Sequence, residues 1–178
     1  MKPIFLIGYM CSGKTTLGRA LGDMTGRAFV DLDDLIEERA GCTVKEIFAS
    51  EGEDAFRRRE REALAVAASA PGGAIIACGG GTPCFGDNMD FMNSCGTTVH
   101  LIVSDRGRLL NRLREGKAKR PLIASLADGE IEDFITRQMA AREPHYVRAM
   151  ASFDTSRLED EAEVAETAGK FIHQFLES

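Results

Sequence analysis

Short apolar runs alternate along the chain with longer amphipathic stretches. Continuous apolar runs at Ile4–Ile7, Ala28–Val30, Ala74–Ala77 and Thr98–Val103 predict buried strands, and a weaker run at Ala149–Asp154 predicts a fifth. Strands that alternate with helices form a parallel sheet that is covered by helices on both faces. The pattern therefore predicts a three-layer α/β/α fold, in which ligands bind at the carboxyl ends of the strands.

Helix signals fill the intervals between these runs. Apolar residues at helical spacing, or capping boxes, predict helices at Lys14–Met24, from Thr43-x-x-Glu46, from Ser50-x-x-Glu53 to about Ala68, at about Asp105–Arg114, at about Glu130–Arg142 and after Ser156-x-x-Glu159. The polar segment 115–128 contains Gly116 and Pro121, which predicts a loop. No repeat or linker interrupts the sequence, so residues 1–178 are expected to form one domain.

Composition narrows the class of protein. The chain has 178 residues, of which 44% are hydrophobic, and a net charge of -6, which argues against a general nucleic-acid binder. No apolar run has the length of a membrane span, and Ile4–Ile7 fits a strand better than a secretory signal. The five cysteines form no C-x-x-C pair and the three histidines are scattered, which disfavours disulfide and zinc sites. We therefore expect a cytoplasmic protein without nucleic-acid or membrane partners.

The most specific motif is a phosphate-binding loop at Gly8–Thr15. Its sequence, GYMCSGKT, matches the pattern G-x-x-x-x-G-K-[ST] without a gap. Glycines let the backbone curl so that its N–H groups converge on phosphate oxygens at the start of a helix. Lys14 adds a positive charge near the β- and γ-phosphates, and the hydroxyl of Thr15 can bind Mg²⁺. The predicted strand before the loop and the helix after it supply the required context, so we expect ATP binding.

Several classes of protein use such a loop. A GTPase should also carry an N-K-x-D motif, which this sequence lacks. Asp23–Gly26 matches the GTPase pattern D-x-x-G, but it lies at the end of a predicted helix rather than after a strand. A mechanical ATPase would normally need a longer chain. A small-molecule kinase fits best, and such an enzyme needs a second pocket with a base that faces the γ-phosphate.

Acidic residues at the end of the second predicted strand are candidates for that pocket. Asp31 and Asp33 lie two residues apart, so one could serve a magnesium ion and the other the acceptor hydroxyl. Asp33 and Asp34 could equally be the cap and first-turn acid of a helix. Both interpretations stay open at this point.

Three arginines could bind an anionic acceptor. Arg57, Arg120 and Arg142 could form forked contacts with a carboxylate, which arginine suits better than lysine. Arg57 lies in the run Arg57–Arg61, and such a charged run is more often a solvated helix face. Sequence spacing alone does not show that the three side chains converge.

Taken together, these motifs resemble the shikimate kinase family over nearly the whole chain. The resemblance depends on their order and spacing: Gly8–Thr16, Asp31-x-Asp33, Phe56-Arg57-Arg58-x-Glu60, Gly79–Gly81, Arg120-Pro121-Leu122 and Arg142-x-Pro144-x-Tyr146. It implies a P-loop kinase with a five-stranded parallel sheet and a mobile lid at about 116–127. It also implies transfer of the γ-phosphoryl group of ATP to the 3-hydroxyl of shikimate, with Mg²⁺, on the route to chorismate. A monomer is implied as well.

The resemblance assigns roles on the acceptor side. It implies a substrate-binding region at about 32–61, in which Asp33 holds the ring hydroxyls and orients or deprotonates the acceptor. Arg57 and Arg142 would bind the shikimate carboxylate, and Glu60 would orient Arg57. The remaining implied contacts with the substrate are Phe56, Gly79, Gly80 and Gly81.

The resemblance also assigns roles on the nucleotide side. It implies that Thr15 binds Mg²⁺ directly and Asp31 binds it through water, and that Arg120 moves with the lid onto the transferred phosphoryl group. Lys14, Asp33 and Arg120 would be catalytic. The implied contacts with ATP are Cys11, Ser12, Gly13, Lys14, Thr15, Thr16, Arg112 and Arg120. Arg157 is a further candidate near the adenine.

The chain departs from the family pattern at two cysteines. Cys11 stands where the family often has glycine, and Cys78 stands where a threonine, a serine or a small apolar residue is more usual. A thiol at a helix N-terminus could be reactive, or Cys11 could simply be a tolerated small residue. Two alternative functions remain: a related kinase such as gluconate kinase, and a nucleotide-binding module without turnover.

Overall fold

A sheet of five parallel strands forms the middle layer of the molecule. The computed structural model describes residues 1–117, 126 and 128–177. The strands follow the order β2-β3-β1-β4-β5, with bounds β1 Ile4–Ile7, β2 Phe29–Asp31, β3 Ile75–Ala77, β4 Thr97–Ile102 and β5 Ala151–Asp154. The central strand β1 aligns its Ile4 with Ile75 of β3 and with Thr97 of β4. The predicted parallel sheet, including its fifth strand, is confirmed.

Helices cover both faces of this sheet. Their bounds are α1 Lys14–Thr25, α2 Leu32–Ala40, α3 Val44–Ser50, α4 Gly52–Ala68, α5 Asn88–Cys95, α6 Arg106–Glu115, α7 Asp128–Tyr146 and α8 Glu161–Phe175, with a 3₁₀ turn at Thr82–Cys84. No helix in the described ranges combines the length and the apolar character that crossing a membrane requires.

Alternate residues of β1 pack into two separate hydrophobic cores, one on each face of the sheet. Ile4 and Leu6 are buried against α1 and α8, whereas Phe5 and Ile7 are buried against the helices of the opposite face. Each fully buried side chain of this size contributes about 1.5–3 kcal/mol relative to an exposed one. Burial on both faces explains why β1 is an unbroken apolar run, and it confirms the predicted three layers.

One of the predicted capping boxes is correct and the next is wrong. Thr43 and Glu46 cap each other at the start of α3, as predicted. Ser50 instead ends α3, and its hydroxyl donates to the carbonyl of Glu46 (2.7 Å). The N-cap of α4 is Glu51, without a side-chain cap, and the Glu53 carboxylate accepts from Arg57 (3.1 Å). α4 nevertheless ends at the predicted Ala68.

The helix predicted after Ser156-x-x-Glu159 is confirmed as α8, but Ser156 does not cap it. Ser156 lies in the loop after β5, where its hydroxyl donates to Asp154 (2.6 Å). α8 begins later, and its cap is Asp160, whose side chain accepts from the N–H of Glu163 (2.8 Å). Aspartate caps as well as serine does, so the local signals could not separate the two positions.

α2 was not among the predicted helices, and α7 is longer than predicted. α2 begins directly after β2, with Asp31 as its cap and Asp33 and Asp34 in its first turn. The interpretation of Asp33 and Asp34 as the cap and first-turn acid of a helix is thus partly correct, because both lie in the first turn, but the cap is Asp31. α7 continues past Pro144 to Tyr146, one turn beyond the predicted end at Arg142. Tyr146 is 2% exposed, and burial of this large ring stabilises the extra turn.

Candidate active site

The phosphate-binding loop connects β1 to α1 and requires glycine at both ends. Gly8 has φ +147° and Gly13 has φ +86°. A methyl group on Gly8 would lie 2.6 Å from the carbonyl oxygen of Leu101, and one on Gly13 would lie 2.3 Å from Leu158 Cδ1. No side chain of the described residues caps α1, so its first N–H groups are directed at the loop, where a phosphate can accept from them.

Cys11 adopts a backbone conformation that favours glycine. Its φ is +63°, and among the described residues it is the only non-glycine with a positive φ. The left-handed region costs a residue with a side chain about 1–2 kcal/mol. Its Sγ approaches the carbonyl oxygen of Arg112 (3.6 Å). The departure from the family pattern therefore falls on a strained position of the loop.

Lys14 is folded back onto the loop that precedes it. Its Nζ donates to the carbonyl oxygens of Gly8 and Tyr9, both at 2.8 Å. Burial lowers the pKa of Lys14 to about 8, and nearby groups, among them the carboxylate of Asp33, oppose that shift. The side chain is therefore still a cation at neutral pH, as a phosphate ligand must be.

Thr15 and Asp31 join the start of α1 to the start of α2. The Thr15 hydroxyl donates to one carboxylate oxygen of Asp31 (2.8 Å), and the other oxygen accepts from the N–H of Asp33 (3.2 Å). A hydroxyl and a carboxylate side by side are hard oxygen ligands of the kind that Mg²⁺ prefers. The two residues thus fit the magnesium site predicted for them.

A cleft of about 410 Å³ opens beside the phosphate-binding loop. Its lining includes Cys11, Gly13, Thr16, Arg112, Leu158 and Glu159. Ser12 is a buried residue of the loop, with 1% of its surface exposed, and its carbonyl oxygen accepts a hydrogen bond from the hydroxyl of Thr155 (2.7 Å). Three of the loop residues predicted to contact ATP, Cys11, Gly13 and Thr16, therefore line one cavity.

Two arginines were candidates for the adenine end of this cleft, and the structure separates them. Arg112 is held by the Glu159 carboxylate (2.8 Å) and donates to the carbonyl of Ser156 (2.8 Å), and it lines the cleft. Arg157 instead pairs with acids of α8, Glu163 (3.5 Å) and Glu166 (3.3 Å), outside the cleft lining. Arg112 therefore lines the cleft, whereas Arg157 is paired with acids of α8.

Asp33 has the most perturbed carboxylate on the acceptor side. Its side chain is open to solvent, but it lies in a cleft with protein on several sides and faces other acids. The protein around the carboxylate limits its solvation although one side is open, and this loss of solvation, followed by repulsion from Asp31 and Glu60, raises the pKa of Asp33 to about 6, while Lys14 acts in the opposite direction. A carboxylate with this pKa is a better proton acceptor than an ordinary aspartate and is still ionised at pH 7.

Three glycines after β3 bring the acceptor residues together. A methyl group on Gly79, the first of them, would lie 3.2 Å from Asp33 Oδ1. On the second it would lie 3.0 Å from Arg142 Nη1, and on the third 3.1 Å from Arg57 Nη2. Side chains from α2, α4 and α7 therefore converge on three consecutive residues at the carboxyl end of β3, and a Cβ on any of these residues would crowd them by a few tenths of an ångström.

Arg57 is held by two carboxylates. Its Nη1 donates to Glu60 (2.9 Å) and its Nη2 to Glu53 (3.1 Å). Glu60 is 1% exposed and also accepts from the Thr82 hydroxyl (2.6 Å). The predicted contact between Glu60 and Arg57 is present, whereas Glu53 and Thr82 were missed. Spacing of three and four residues along α4 could have indicated both carboxylates.

Aromatic rings complete the acceptor side. Phe56 is buried, packs on the ring of Phe48 (4.6 Å between centroids) and lies 5.0 Å from the Arg57 guanidinium carbon. The Arg142 guanidinium lies 5.5 Å from the ring of Tyr9. Such contacts orient an arginine without neutralising its charge.

Tyr146 ties the end of α7 to the glycines. Its hydroxyl donates to the carbonyl oxygen of Gly80 (2.7 Å), and burial raises the pKa of Tyr146 to about 12. The phenol therefore stays protonated and holds α7, which carries Arg142, against the site. This anchoring role was not predicted, although Tyr146 belongs to the motif that contains Arg142.

The remaining predicted residue is Arg120. It lies outside the described residues, as do most positions of the lid predicted at 116–127.

Comparisons with known proteins agree on one family. The family model described as "Shikimate kinase" matches residues 10–173. A shikimate kinase of Phocaeicola vulgatus is 46% identical over 164 residues, which cover 92% of this chain and 93% of that protein. The crystal structure of shikimate kinase from Bacteroides thetaiotaomicron superposes with a TM-score of 0.91 at 41% identity, covering 97% of both chains. Shikimate kinase from Acinetobacter baumannii in complex with shikimate gives a TM-score of 0.82 at 31% identity, covering 99% of this chain and 93% of that one.

Proposed function

This chain belongs to the shikimate kinase family, and we propose that it transfers the γ-phosphoryl group of ATP to the 3-hydroxyl of shikimate. The products are ADP and 3-phosphoshikimate, an intermediate on the route to chorismate and the aromatic amino acids. One observation carries the proposal: Asp33, Arg57 and Arg142 converge on Gly79–Gly81 beside the phosphate-binding loop. A carboxylate base next to two arginines suits an acceptor that carries both hydroxyl groups and a carboxylate.

Asp33 is the proposed base. The acceptor oxygen forms a bond to the γ-phosphorus while the bond from that phosphorus to the bridging oxygen breaks, and the hydroxyl proton passes to Asp33. A pKa of about 6 leaves this carboxylate ionised at neutral pH and able to take the proton. Phosphoryl transfer depends mainly on positioning and charge stabilisation, so orienting the hydroxyl is as much a part of the role as accepting its proton.

Arg57 and Arg142 are the proposed carboxylate ligands. They approach the glycines from different helices. Their Nη atoms lie 3.1 Å and 3.0 Å from the positions that a Cβ atom would occupy on Gly81 and Gly80. Two cations that converge from different helices can hold one carboxylate in a single orientation. Gly80 is proposed to offer its backbone N–H to the substrate, and Phe56 is proposed to form a wall beside the ring.

Lys14, Thr15 and Asp31 are proposed to act on the phosphates. The loop N–H groups and Lys14 would bind the β- and γ-phosphates. A magnesium ion would be held by the Thr15 hydroxyl and, through water, by Asp31, and when bound it neutralises charge on the phosphate oxygens. The oxygen donors found side by side at these two residues support this assignment.

Contacts with the rest of the nucleotide are proposed from the cleft lining and from the family resemblance. Arg112 would lie over the adenine, since Glu159 and the carbonyl of Ser156 fix its guanidinium at the cleft wall. Arg120 would approach the transferred phosphoryl group with the lid at about 116–127. This last assignment is supported by the sequence motif alone.

We further propose one kinase domain over residues 1–178 that acts as a cytoplasmic monomer, with ATP and shikimate as its partners. The net charge of -6 and five cysteines that form no disulfide support a protein of a reducing compartment that binds neither nucleic acid nor membranes.

Substrate-dependent release of ADP tests the proposed function. The full chain is incubated with MgATP and, separately, with shikimate, gluconate or a nucleoside monophosphate, and ADP is measured against a sample without acceptor. We expect release with shikimate alone. Release with gluconate but not shikimate would assign a different kinase activity, and no stimulation by any acceptor would favour a binding module.

A further inference from the structure

The face of the Phe85 ring lies against the arginine that the proposed function assigns to the substrate carboxylate. The Arg57 guanidinium carbon is 3.5 Å from the centroid of the Phe85 ring, compared with 5.0 Å for Phe56. A cation over an aromatic face is attracted at distances up to about 6 Å, and van der Waals contact at 3.5 Å adds to the attraction. Phe85 is therefore the ring that sets the tilt of this guanidinium.

The chain holds Phe85 in place through the turn that follows the glycines. The 3₁₀ turn begins with the N–H of Cys84 donating to the carbonyl of Gly81 (2.8 Å). Buried Asn88 then closes the segment by donating its side-chain amide to the carbonyl of Thr82 (3.0 Å). The same short segment thus carries both Gly81, which faces Arg57, and the ring that covers it.

The hydrogen bonds of Arg57 show what this orientation leaves free. Nε and Nη2 donate to Glu53 and Nη1 donates to Glu60, so three of the five N–H groups are used within the described structure. One N–H remains on each terminal nitrogen, and both nitrogens lie beside Gly81, 3.1 and 3.2 Å from its methyl position. Two free N–H groups are what a forked contact with a carboxylate requires.

We propose that Phe85 is a positioning residue for the acceptor: it fixes the plane of Arg57 so that the two free N–H groups face the substrate carboxylate. The two glutamates fix where the guanidinium lies, and the ring fixes its tilt. This inference rests on the proposed function, because it takes Arg57 as a ligand of the shikimate carboxylate.

The molecule contains a matched control one helical turn away. Arg61 lies 4.0 Å from the centroid of Phe91 and pairs with Asp87 (3.3 Å), so it repeats the combination of a ring and a carboxylate. Unlike Arg57, it does not border the three glycines. Loss of the Phe91 ring should therefore reproduce the structural effect of losing a stacked ring, without the effect on the acceptor.

Steady-state kinetics of three variants test the proposal. Phe85→Leu keeps an apolar side chain but removes the aromatic face, Phe85→Tyr restores the face, and Phe91→Leu is the control. We expect Phe85→Leu to raise the KM for shikimate about 3- to 10-fold, with kcat within about 2-fold and the KM for ATP unchanged. Phe85→Tyr should behave as the wild type. Phe91→Leu should leave both KM values unchanged, whatever its effect on the melting temperature.

Each contrary result has a distinct meaning. An unchanged KM for shikimate in Phe85→Leu, in an active wild type, would overturn the positioning role alone. An equal rise in Phe91→Leu would assign the effect to general destabilisation and would also overturn it. A wild-type chain without shikimate-dependent ADP release would refute the proposed function, and this inference with it.

Discussion

The two halves of the candidate site are built in different ways. The phosphate-binding part of the nucleotide half comes from one continuous segment, Gly8–Thr16, which follows a buried strand and runs into the start of α1. The acceptor half comes from residues far apart in sequence, with Asp33, Arg57 and Arg142 carried by three helices and meeting at Gly79–Gly81. Local backbone geometry thus creates the first half, and packing of the whole fold creates the second.

Their electrostatics differ in the same way. In the nucleotide half, burial lowers the pKa of Lys14 to about 8, and in the acceptor half, burial and acidic neighbours raise the pKa of Asp33 to about 6. In each half the charged form of the side chain is less stable than it would be in water, which is a common cost of a preorganised site. The comparison predicts that perturbations of one half leave the other measurably intact.

Replacing Asp33 should have the largest effect. We expect Asp33→Asn to lower kcat about 10²- to 10⁴-fold, because the acceptor loses its base, while the affinity for ATP stays near that of the wild type. Single-turnover kinetics and calorimetric titration with ATP measure the two quantities. Asp34→Asn, in the same helical turn, is the matched control and should keep normal turnover. Near-normal rates in Asp33→Asn would remove it from the proposed role.

The acid and alkaline limbs of the pH dependence of kcat/KM should each report on one half of the site. As the pH falls below about 6, Asp33 takes up a proton, so kcat/KM for shikimate should fall about tenfold per pH unit. As the pH rises above about 8, Lys14 loses its charge, so kcat/KM for ATP should fall. Asp33→Asn should lose the acid limb and keep the alkaline one. An acid limb that survives in this variant would belong to another group.

Replacing Arg142 should affect only the acceptor half. We expect Arg142→Ala to raise the KM for shikimate about 10- to 100-fold, since a charge-assisted hydrogen bond is lost, with the KM for ATP unchanged. Arg148→Ala, which removes a surface arginine paired with Asp90, is the control and should change neither. An effect confined to the KM for ATP would show that Arg142 acts in the nucleotide half and not in the acceptor half.

Replacing Cys11 should have the smallest effect and should be confined to the nucleotide half. Cys11→Gly relieves a left-handed backbone but makes the unfolded chain more flexible, so we expect a gain of no more than about 1 kcal/mol in stability. Thermal unfolding measures it, and the KM for ATP should change less than about 2-fold. A clear loss of stability would show that contacts of the Cys11 side chain outweigh the strain of its backbone.

The same division explains what the sequence could predict. The strands and the phosphate-binding loop were predictable because burial on both faces and a fixed glycine spacing leave local signatures. The convergence of Arg57 and Arg142 was not, because it depends on how α4 and α7 pack beside β3. Family resemblance supplied that link where spacing could not.

Other elements lacked a usable local signal. Asp160 and Ser156 are both good capping residues, so only the packing of α8 decides between them. Arg157 was a weaker candidate for the adenine than Arg112, and its ion pairs with acids of α8 could not be predicted from its position in the sequence. Phe85 carries no motif at all, and its relation to Arg57 emerges only from the turn after the glycines.

A crystal structure of the full chain with shikimate and ADP tests the central claim most directly. We predict one shikimate molecule whose carboxylate accepts hydrogen bonds from both Arg57 and Arg142, and whose ring hydroxyls reach Asp33 on the side that faces Lys14. A ligand whose carboxylate contacts neither arginine, or whose hydroxyls point away from Asp33, would contradict it.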